Sequence, residues 1–422
     1  MKRVVVTGMG VVAPNGVNVA EFNNALLQGT SGLHHIPQME AWGMGCQVAG
    51  YPANFNESIL KNYITPGTHK SLRSSNVQYA LAATIEAWHN AELTINNNTV
   101  DVHTGCVYGS GICDVDHLRY AINMVESDKG LQLGARHIEQ LMASGCSGYI
   151  GGLLGLGNMV TANSSACSTG TEAIVMAYQH IKYGNATRMV AGSSEASSPY
   201  MWSVFDAMRV LNRNHNNQPA QASRPMNSDS AGFIPGSGAA TLILEELETA
   251  LARNAPIIAE IKSGTINSGG QRNGGTMTAP SAIGVIDCIT NTLQQAAILP
   301  HQIDLICGHL TGTFADKLEI QNWATALQLK GNEFPKINTL KSLTGHCISA
   351  AGAIECVAAL LQLQHGYIHA NYNCATLQPD ITNTIASSCI PLQVQQHTIN
   401  TIIKANFGFG DVNSCIIFNK YT

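Results

Sequence analysis

The run Thr161-Ala162-Asn163-Ser164-Ser165-Ala166-Cys167-Ser168-Thr169-Gly170 surrounds one cysteine with small residues, and the chain after it, through Ile181, is apolar and compatible with a helix. This pattern predicts that Cys167 sits on a sharp turn where a helix begins. Unpaired backbone N–H groups and the positive end of the helix dipole favour a thiolate there, and small neighbours leave room for a substrate to reach sulfur. A lone cysteine in an apolar setting is more often a structural one. The choice depends on what other chemistry the chain can bring to it.

Three stretches of the second half each look like a loop leaving a buried strand, where reactive groups are commonly carried. They are Cys307-Gly308-His309-Leu310-Thr311-Gly312-Thr313, Asn338-Thr339-Leu340-Lys341-Ser342-Leu343-Thr344-Gly345-His346, and Asn406-Phe407-Gly408-Phe409-Gly410-Asp411-Val412-Asn413. Taken singly, His309 could be a structural histidine, Lys341 a surface lysine, and Phe407 and Phe409 core residues of a strand. Together they give one activated-looking cysteine two imidazoles and an amine, each on a small-residue loop after a strand, which is the equipment of nucleophilic catalysis.

The elements that must position these groups alternate between strand and helix. Residues 3–13 read as a short strand running into a turn at Gly8-Met9-Gly10, since the third glycine of a nucleotide fingerprint is missing. A helix over 76–93, a strand over 104–112, a looser region over 115–160 and a strand over 188–195 follow. A polar surface loop over 212–227 and a strand at 241–244 complete the first cycle. A second cycle begins near Pro256, with strand 257–261, a glycine-rich loop at 264–276, helix 281–297, strand 303–307, helix 316–328, strand 336–339, helix 349–363 and strands near 399–405 and 413–418. Such alternation predicts parallel or mixed sheets covered on both faces. Element order, not residue identity, suggests duplication.

The chain has 422 residues, 45% of them hydrophobic and only 12% charged, with a net charge of −5. This length exceeds one simple core, so two domains or one large duplicated domain are expected. No basic run longer than a pair appears, which argues against nucleic acid as a partner. Apolar runs fall short of a membrane span and the sequence opens directly as a strand, so no membrane association and a cytoplasmic location are expected. The 12 cysteines are scattered with no C-x-x-C, as in a reduced chain without disulfides, and no metal is expected.

Ser165-Ala166-Cys167-Ser168-Thr169-Gly170, His309 with Thr311 and Thr313, Lys341-Ser342-Leu343-Thr344-Gly345-His346 and Asn406-Phe407-Gly408-Phe409-Gly410 together resemble the elongating β-ketoacyl-acyl carrier protein synthases of the thiolase superfamily. The likeness runs from Val4-Val5-Val6-Thr7-Gly8 to Phe418 and includes Ala222-Ser223-Arg224-Pro225. It implies an α/β fold with a thiolase-like duplicated core, layered α-β-α-β-α around two mixed five-stranded sheets. The expected halves are 1–255, carrying the cysteine and the dimer and tunnel insertions, and 256–422, carrying both histidines and the lysine.

The implied activity is decarboxylative Claisen condensation of an acyl-enzyme with malonyl-acyl carrier protein, extending a chain by two carbons. By resemblance Cys167 is the nucleophile, His309 and His346 promote decarboxylation, and Lys341 orders the site beside a carboxylate, for which Glu319 is the match. The N–H groups of Cys167 and Phe409 would form the oxyanion hole, with Phe409 also a gate. Thr311 and Thr313 match groups that hold the phosphopantetheine arm, which arrives on the carrier, so no cofactor of its own is implied. Phe407 joins them as a substrate-side residue, and Ile112 and Phe205 match the lining of the acyl tunnel. Lys70, Arg73 and Arg209 fall near carrier-docking positions, with Lys129 and Arg136 as further candidates. The resemblance also implies a homodimer with residues near 110–160 at its interface.

Departures from the family pattern include Leu310 in place of a small residue, a shorter stretch from His309 to Asp316, a 268–276 loop without its acid and histidine, Asp411-Val412 for Gly-Thr and Ser193-Ser194 for Gly-Ala. They point to a divergent branch, with a specialised polyene or polyketide synthase as one alternative. A non-catalytic chain-length partner is another, opposed by the retained Cys167, His309, Lys341 and His346. A biosynthetic thiolase is opposed by His346, since thiolases use a second cysteine as base.

Overall fold

The computed structural model describes residues 1–95 and 98–421. Ten strands build the main sheet: β1 Val4–Val12, β2 Thr104–Ser110, β3 Val160–Thr161, β4 Arg188–Glu195 and β5 Gly238–Glu246 in the first half, then β6 Ala259–Ser268, β7 Leu305–Cys307, β8 Lys336–Asn338, β9 Thr401–Gly408 and β10 Val412–Asn419. Their spatial order is β8-β7-β9-β10-β6-β1-β5-β4-β2-β3. Read outward from the centre, each half has its first strand, its last, its fourth, its second and its third. Pairing is antiparallel, antiparallel, parallel, parallel on both sides. The two five-stranded sets join where Val4, Val5 and Val6 pair with Ile261, Glu260 and Ala259, making one continuous ten-stranded sheet.

Two helices, α3 Thr169–Lys182 and α6 Ala351–His365, lie between the halves, while α1 Ser75–Asn90 and α2 Gly145–Leu154 cover the outside of the first and α4 Ala282–Ala296 and α5 Ala315–Leu327 the outside of the second. This is the expected α-β-α-β-α layering. The alternation of side chains along a strand sorts them between layers. On β5, Ala240, Leu242 and Leu244 face the central helices while Ala239 and Ile243 join the outer layer; on β10, Ile416 and Phe418 face inward while Cys415 and Ile417 face α4. With both faces covered, strand residues are buried almost throughout, and the sequence reads as continuous apolar runs.

β1 does not turn at Gly8-Met9-Gly10, as expected from its glycines, but continues to Val12. A bulge between Val6 and Gly8 shifts its register, so Val4 and Val6 before it and Met9 and Val11 after it share the central layer. The glycines serve α1: a Cβ at Gly8 or Gly10 would lie 2.2 or 2.1 Å from the backbone oxygens of Ala87 and Ala83. Likewise β6 runs through Gly264 to Ser268, beyond the expected strand, paired with β10 throughout, and a Cβ at Gly264 would meet Val175 of α3 at 2.7 Å. In both places a glycine marks a helix pressed against the sheet. The region near 115–160 folds as helices Val115–Glu126 and Arg136–Leu141 followed by α2.

Both central helices begin the same way. A single 3₁₀ turn precedes each, Ala166–Ser168 before α3 and Ile348–Ala350 before α6, and its first residue is left-handed, with φ of 48° at Ala166 and 49° at Ile348. For residues other than glycine this conformation is unfavourable and persists only where surrounding contacts impose it. Among the described residues no helix is long and apolar enough to cross a membrane.

Candidate active site

β7, β8 and β9 are mutually parallel, so the loops that follow them leave the sheet at the same edge. Topology therefore brings together His309 after β7, Lys341 after β8 and Phe409 after β9. Cys167, in the turn that opens α3, faces them from the other half of the chain. Ser168 ties the halves by donating from Oγ to the carbonyls of Asn406 and Val412, each at 3.0 Å. Gly408 allows this approach, since a Cβ there would stand 2.7 Å from Ser165 O and 3.2 Å from Cys167 N.

The sulfur of Cys167 and ring nitrogens of His309 and His346 lie within 4.8 Å of one another, with Cys167 half-buried and both histidines buried. His346 Nε2 is 3.0 Å from Cys167 Sγ. Its Nδ1 accepts the N–H of Ile348 at 3.2 Å, a bond made possible by the left-handed turn there. A backbone N–H can only donate, so in the neutral ring the hydrogen is on Nε2, directed at sulfur. The same three residues have the makeup of a soft-metal site, but in this arrangement His346 Nε2 has no lone pair to give. The imidazoles of His309 and His346 meet edge to face, with centroids 5.2 Å apart.

Burial pushes the Cys167 thiol up, to about 11, against the opposing pull of the Lys341 charge and the backbone N–H of Phe409. Desolvation outweighs both of these pulls, and the group rests as a thiol. Burial, and after it the Lys341 charge, holds His346 down at about 3 and His309 well below the ordinary imidazole range, so both rings are neutral at physiological pH.

Lys341 is buried and its ammonium donates to His309 O at 2.5 Å and to Glu355. Glu355, on α6, is the carboxylate of this pair, and not Glu319, which was expected there. Glu319 lies on α5, just after the His309 loop, and reaches back to accept the N–H groups of His309 and Leu310, each at 2.7 Å, and Trp323 Nε1 at 3.2 Å. Asp316 does the same for Thr311 N at 2.8 Å and Gly312 N at 3.2 Å. These two acids fix the short loop, with Leu310 packed into the core of the second half. The imidazole of His309 keeps its place. Burial alone would raise the carboxyl of Glu355; the ammoniums of Lys341 and Lys404 hold it at about 2. Glu355 and Lys404 were missed by sequence reasoning, the first for being one acid in an apolar helix and the second for lying inside a strand.

Thr311 and Thr313 join hydroxyls at 3.0 Å beside His309. Phe407 is buried, its ring 6.1 Å from that of His309, and Phe409 is half-buried in the turn after β9. Phe205 packs edge to face on Phe233 at 5.6 Å, and Phe233 packs on His346 at 5.3 Å, so Phe205 stands one ring removed from the site. Ile112 is 43% exposed, so this chain alone does not close around it as a tunnel wall. Asp411 is buried and accepts Gln271 N at 2.9 Å and Ser281 N at 2.7 Å, tying the 268–276 loop to the turn that carries Phe409.

Lys70, Arg73 and Arg209 are all exposed, as are Lys129 and Arg136. Lys70 lies in the last turn of the helix Pro66–Ser71 and Arg73 follows it, its guanidinium 4.6 Å over the Tyr120 ring. Arg136 opens the neighbouring helix, whose Gln140 accepts Arg73 N at 2.8 Å and donates to Ser71 O at 3.0 Å. The structure groups these three. Arg209 follows the separate helix Pro199–Ala207.

Residues 1–250 match the family described as beta-ketoacyl synthase, N-terminal domain, and residues 258–375 match beta-ketoacyl synthase, C-terminal domain. The chain is 31% identical to the chloroplastic 3-oxoacyl-[acyl-carrier-protein] synthase I of Arabidopsis thaliana, over 100% of this chain and 87% of that one. It is 30% identical to 3-oxoacyl-[acyl-carrier-protein] synthase 1 of Haemophilus influenzae over 100% of both. Among solved structures it is similar to a beta-ketoacyl synthase from Burkholderia phymatum STM815, with a TM-score of 0.90, 28% identity and 100% of both chains covered. A type II PKS acyl-carrier protein in complex with its ketosynthase also matches, with a TM-score of 0.85, 28% identity and 100% of both chains covered.

Proposed function

We propose that this chain, which belongs to the β-ketoacyl synthase family, is a 3-oxoacyl-[acyl-carrier-protein] synthase that extends carrier-bound acyl chains by two carbons. The observation that carries this reading is the convergence of one thiol and two neutral imidazoles at a single point.

Cys167 Sγ attacks the carbonyl of an acyl-carrier thioester and the bond to the carrier's sulfur breaks. The departing thiolate takes the proton Cys167 gives up, so this step has no net need of a base. Malonyl-carrier then loses carbon dioxide: the bond to its carboxylate breaks and the electron pair becomes an enolate. Neutral Nε2–H donors of His309 and His346 stabilise the developing oxygen charge in a dry site, where such bonds are strongest. The carbanion attacks the acyl carbon on Cys167, and the N–H groups of Cys167 and Phe409 receive the tetrahedral oxygen. The bond to Sγ breaks, and the Cys167 thiolate so released takes one proton from solvent, the proton consumed overall as carbon dioxide is released. Thr311 and Thr313 hold the phosphopantetheine arm, so the chain needs no resident cofactor or metal.

This reading makes the enzyme a stand-alone elongating acyltransferase working as a homodimer. Supporting assembly, Ile122, Val125, Leu131, Ile138, Met142 and Val160 are exposed along 115–160, an apolar surface unusual for an isolated chain. Ile112, on the approach to it, would line the tunnel once a second copy covers it. Sedimentation at the mass of one chain would contradict the dimer. Supplied with acyl-carrier and malonyl-carrier, the protein is expected to release carbon dioxide and form 3-oxoacyl-carrier, and Cys167→Ala to lose at least about a thousandfold of this rate. Product formation undiminished in Cys167→Ala would refute the nucleophile.

A further inference from the structure

We infer that Lys404 is a positioning residue that sets the tautomer of His309 through Asn406, an assignment that rests on the decarboxylating role proposed for His309. Lys404 lies on β9, is fully buried, and reaches no substrate. Its ammonium is enclosed by Ala405 O at 2.6 Å, Asn406 Oδ1 at 2.7 Å and Glu355 Oε2 at 2.6 Å.

An ammonium can only donate, so the end of the Asn406 amide that faces it must be the oxygen. Thr171 Oγ1 donates to the same oxygen at 2.6 Å. The other end of the amide lies 2.9 Å from Glu355 Oε2 and 3.0 Å from His309 Nδ1. With its oxygen claimed by Lys404, Asn406 presents N–H to the ring. Nδ1 must then carry the lone pair, and the ring hydrogen is on Nε2. His309 is neutral, through burial first and then the charges around it, so the tautomer decides whether Nε2 donates or repels. Only the Nε2–H form can bond an enolate oxygen.

Without Lys404 no donor-only group holds the Asn406 oxygen, and the Thr171 hydroxyl can accept as well as donate. Glu355, which accepts from the other end of the amide, keeps Lys341 as its one ammonium partner, so the amide is held at one end and no longer at two. In the fraction of molecules that turn, the amide oxygen faces Nδ1, draws the hydrogen there and leaves Nε2 a lone pair toward the substrate.

Nitrogen-15 NMR of the full-length resting protein with labelled histidine reads the tautomer directly, with His309→Asn identifying the resonance. The native protein is expected to show hydrogen on Nε2 of His309. Lys404→Met should move it partly to Nδ1 and slow malonyl decarboxylation severalfold, with acylation of Cys167 retained. Asn406→Asp, which offers the ring only acceptors, should give the Nδ1–H form and is the second variant if Lys404→Met fails to fold. Native His309 with hydrogen on Nδ1, or an unchanged Nε2–H ring in the folded Lys404→Met protein or in Asn406→Asp, overturns the assignment. The spectrum needs no turnover. A protein that shows the tautomer shift but forms no 3-oxoacyl product would keep this inference and refute the proposed function.

Discussion

The proposed nucleophile, Cys167, rests as a thiol, and this has a measurable consequence. With the thiol pushed up to about 11, the thiolate fraction rises in proportion to hydroxide throughout the neutral range. Alkylation of Cys167 by iodoacetamide should therefore accelerate about tenfold for each pH unit from about pH 7 to 9. Because His346 is held at about 3 and His309 is also depressed, no inflection from either ring should interrupt that rise. A plateau reached by neutral pH would show a standing thiolate and contradict the account. The cysteine was legible because its signal is local: small residues, a turn and a helix start lie within a few positions. The height of its pKa was not, since it depends on desolvation by distant segments. Glu319 was misassigned for a related reason. Sequence shows an acid after the His309 loop, whereas only the fold shows that it turns back to N–H groups of that loop while Lys341 points to α6.

At the scale of elements, the site depends on α6 carrying one ionised carboxylate into a buried place between two ammoniums. Removing one partner from a buried ionic cluster typically costs about 3–5 kcal/mol, because the rest is left uncompensated. Glu355→Gln should lower stability to urea by that order at neutral pH. The sign of the pH dependence follows from the depressed carboxyl. Its value in the folded chain, about 2, lies below the ordinary range, so its stabilisation is present above the unfolded value, near about 4.3, and is lost as pH falls toward 2. Native protein should thus lose stability more steeply between these values than Glu355→Gln; equal slopes would show that Glu355 is not ionised. Loop positions were legible from glycine and small-residue punctuation after apolar runs. In sequence the glycines inside β1 look like a turn and Gly264 of β6 like the start of a loop, because the helix pressed against each cannot be seen there.

At the scale of the molecule, repetition explains how two halves of one chain share a site. Each half places its parallel strands alike and opens its central helix with the same left-handed turn, giving Cys167 in the first and Ser349 in the second. Duplication was visible only as element order, since the repeated geometry is carried by different residues. The grouping of Lys70, Arg73 and Arg136 is also a property of the fold. If it receives an acidic carrier, reversing all three charges should raise KM for acyl-carrier about tenfold, more at low salt, while turnover of carrier-free pantetheine thioesters is unchanged. Equal loss with both substrates would place the effect elsewhere. The joining of one thiol from the first half to two imidazoles from the second is tested most directly by separating the two half-reactions in His346→Ala. Mass spectrometry of Cys167 after exposure to acyl-carrier should show acylation retained, while carbon dioxide release from malonyl-carrier falls about a hundredfold or more. Loss of both steps to the same extent, or of neither, would contradict it.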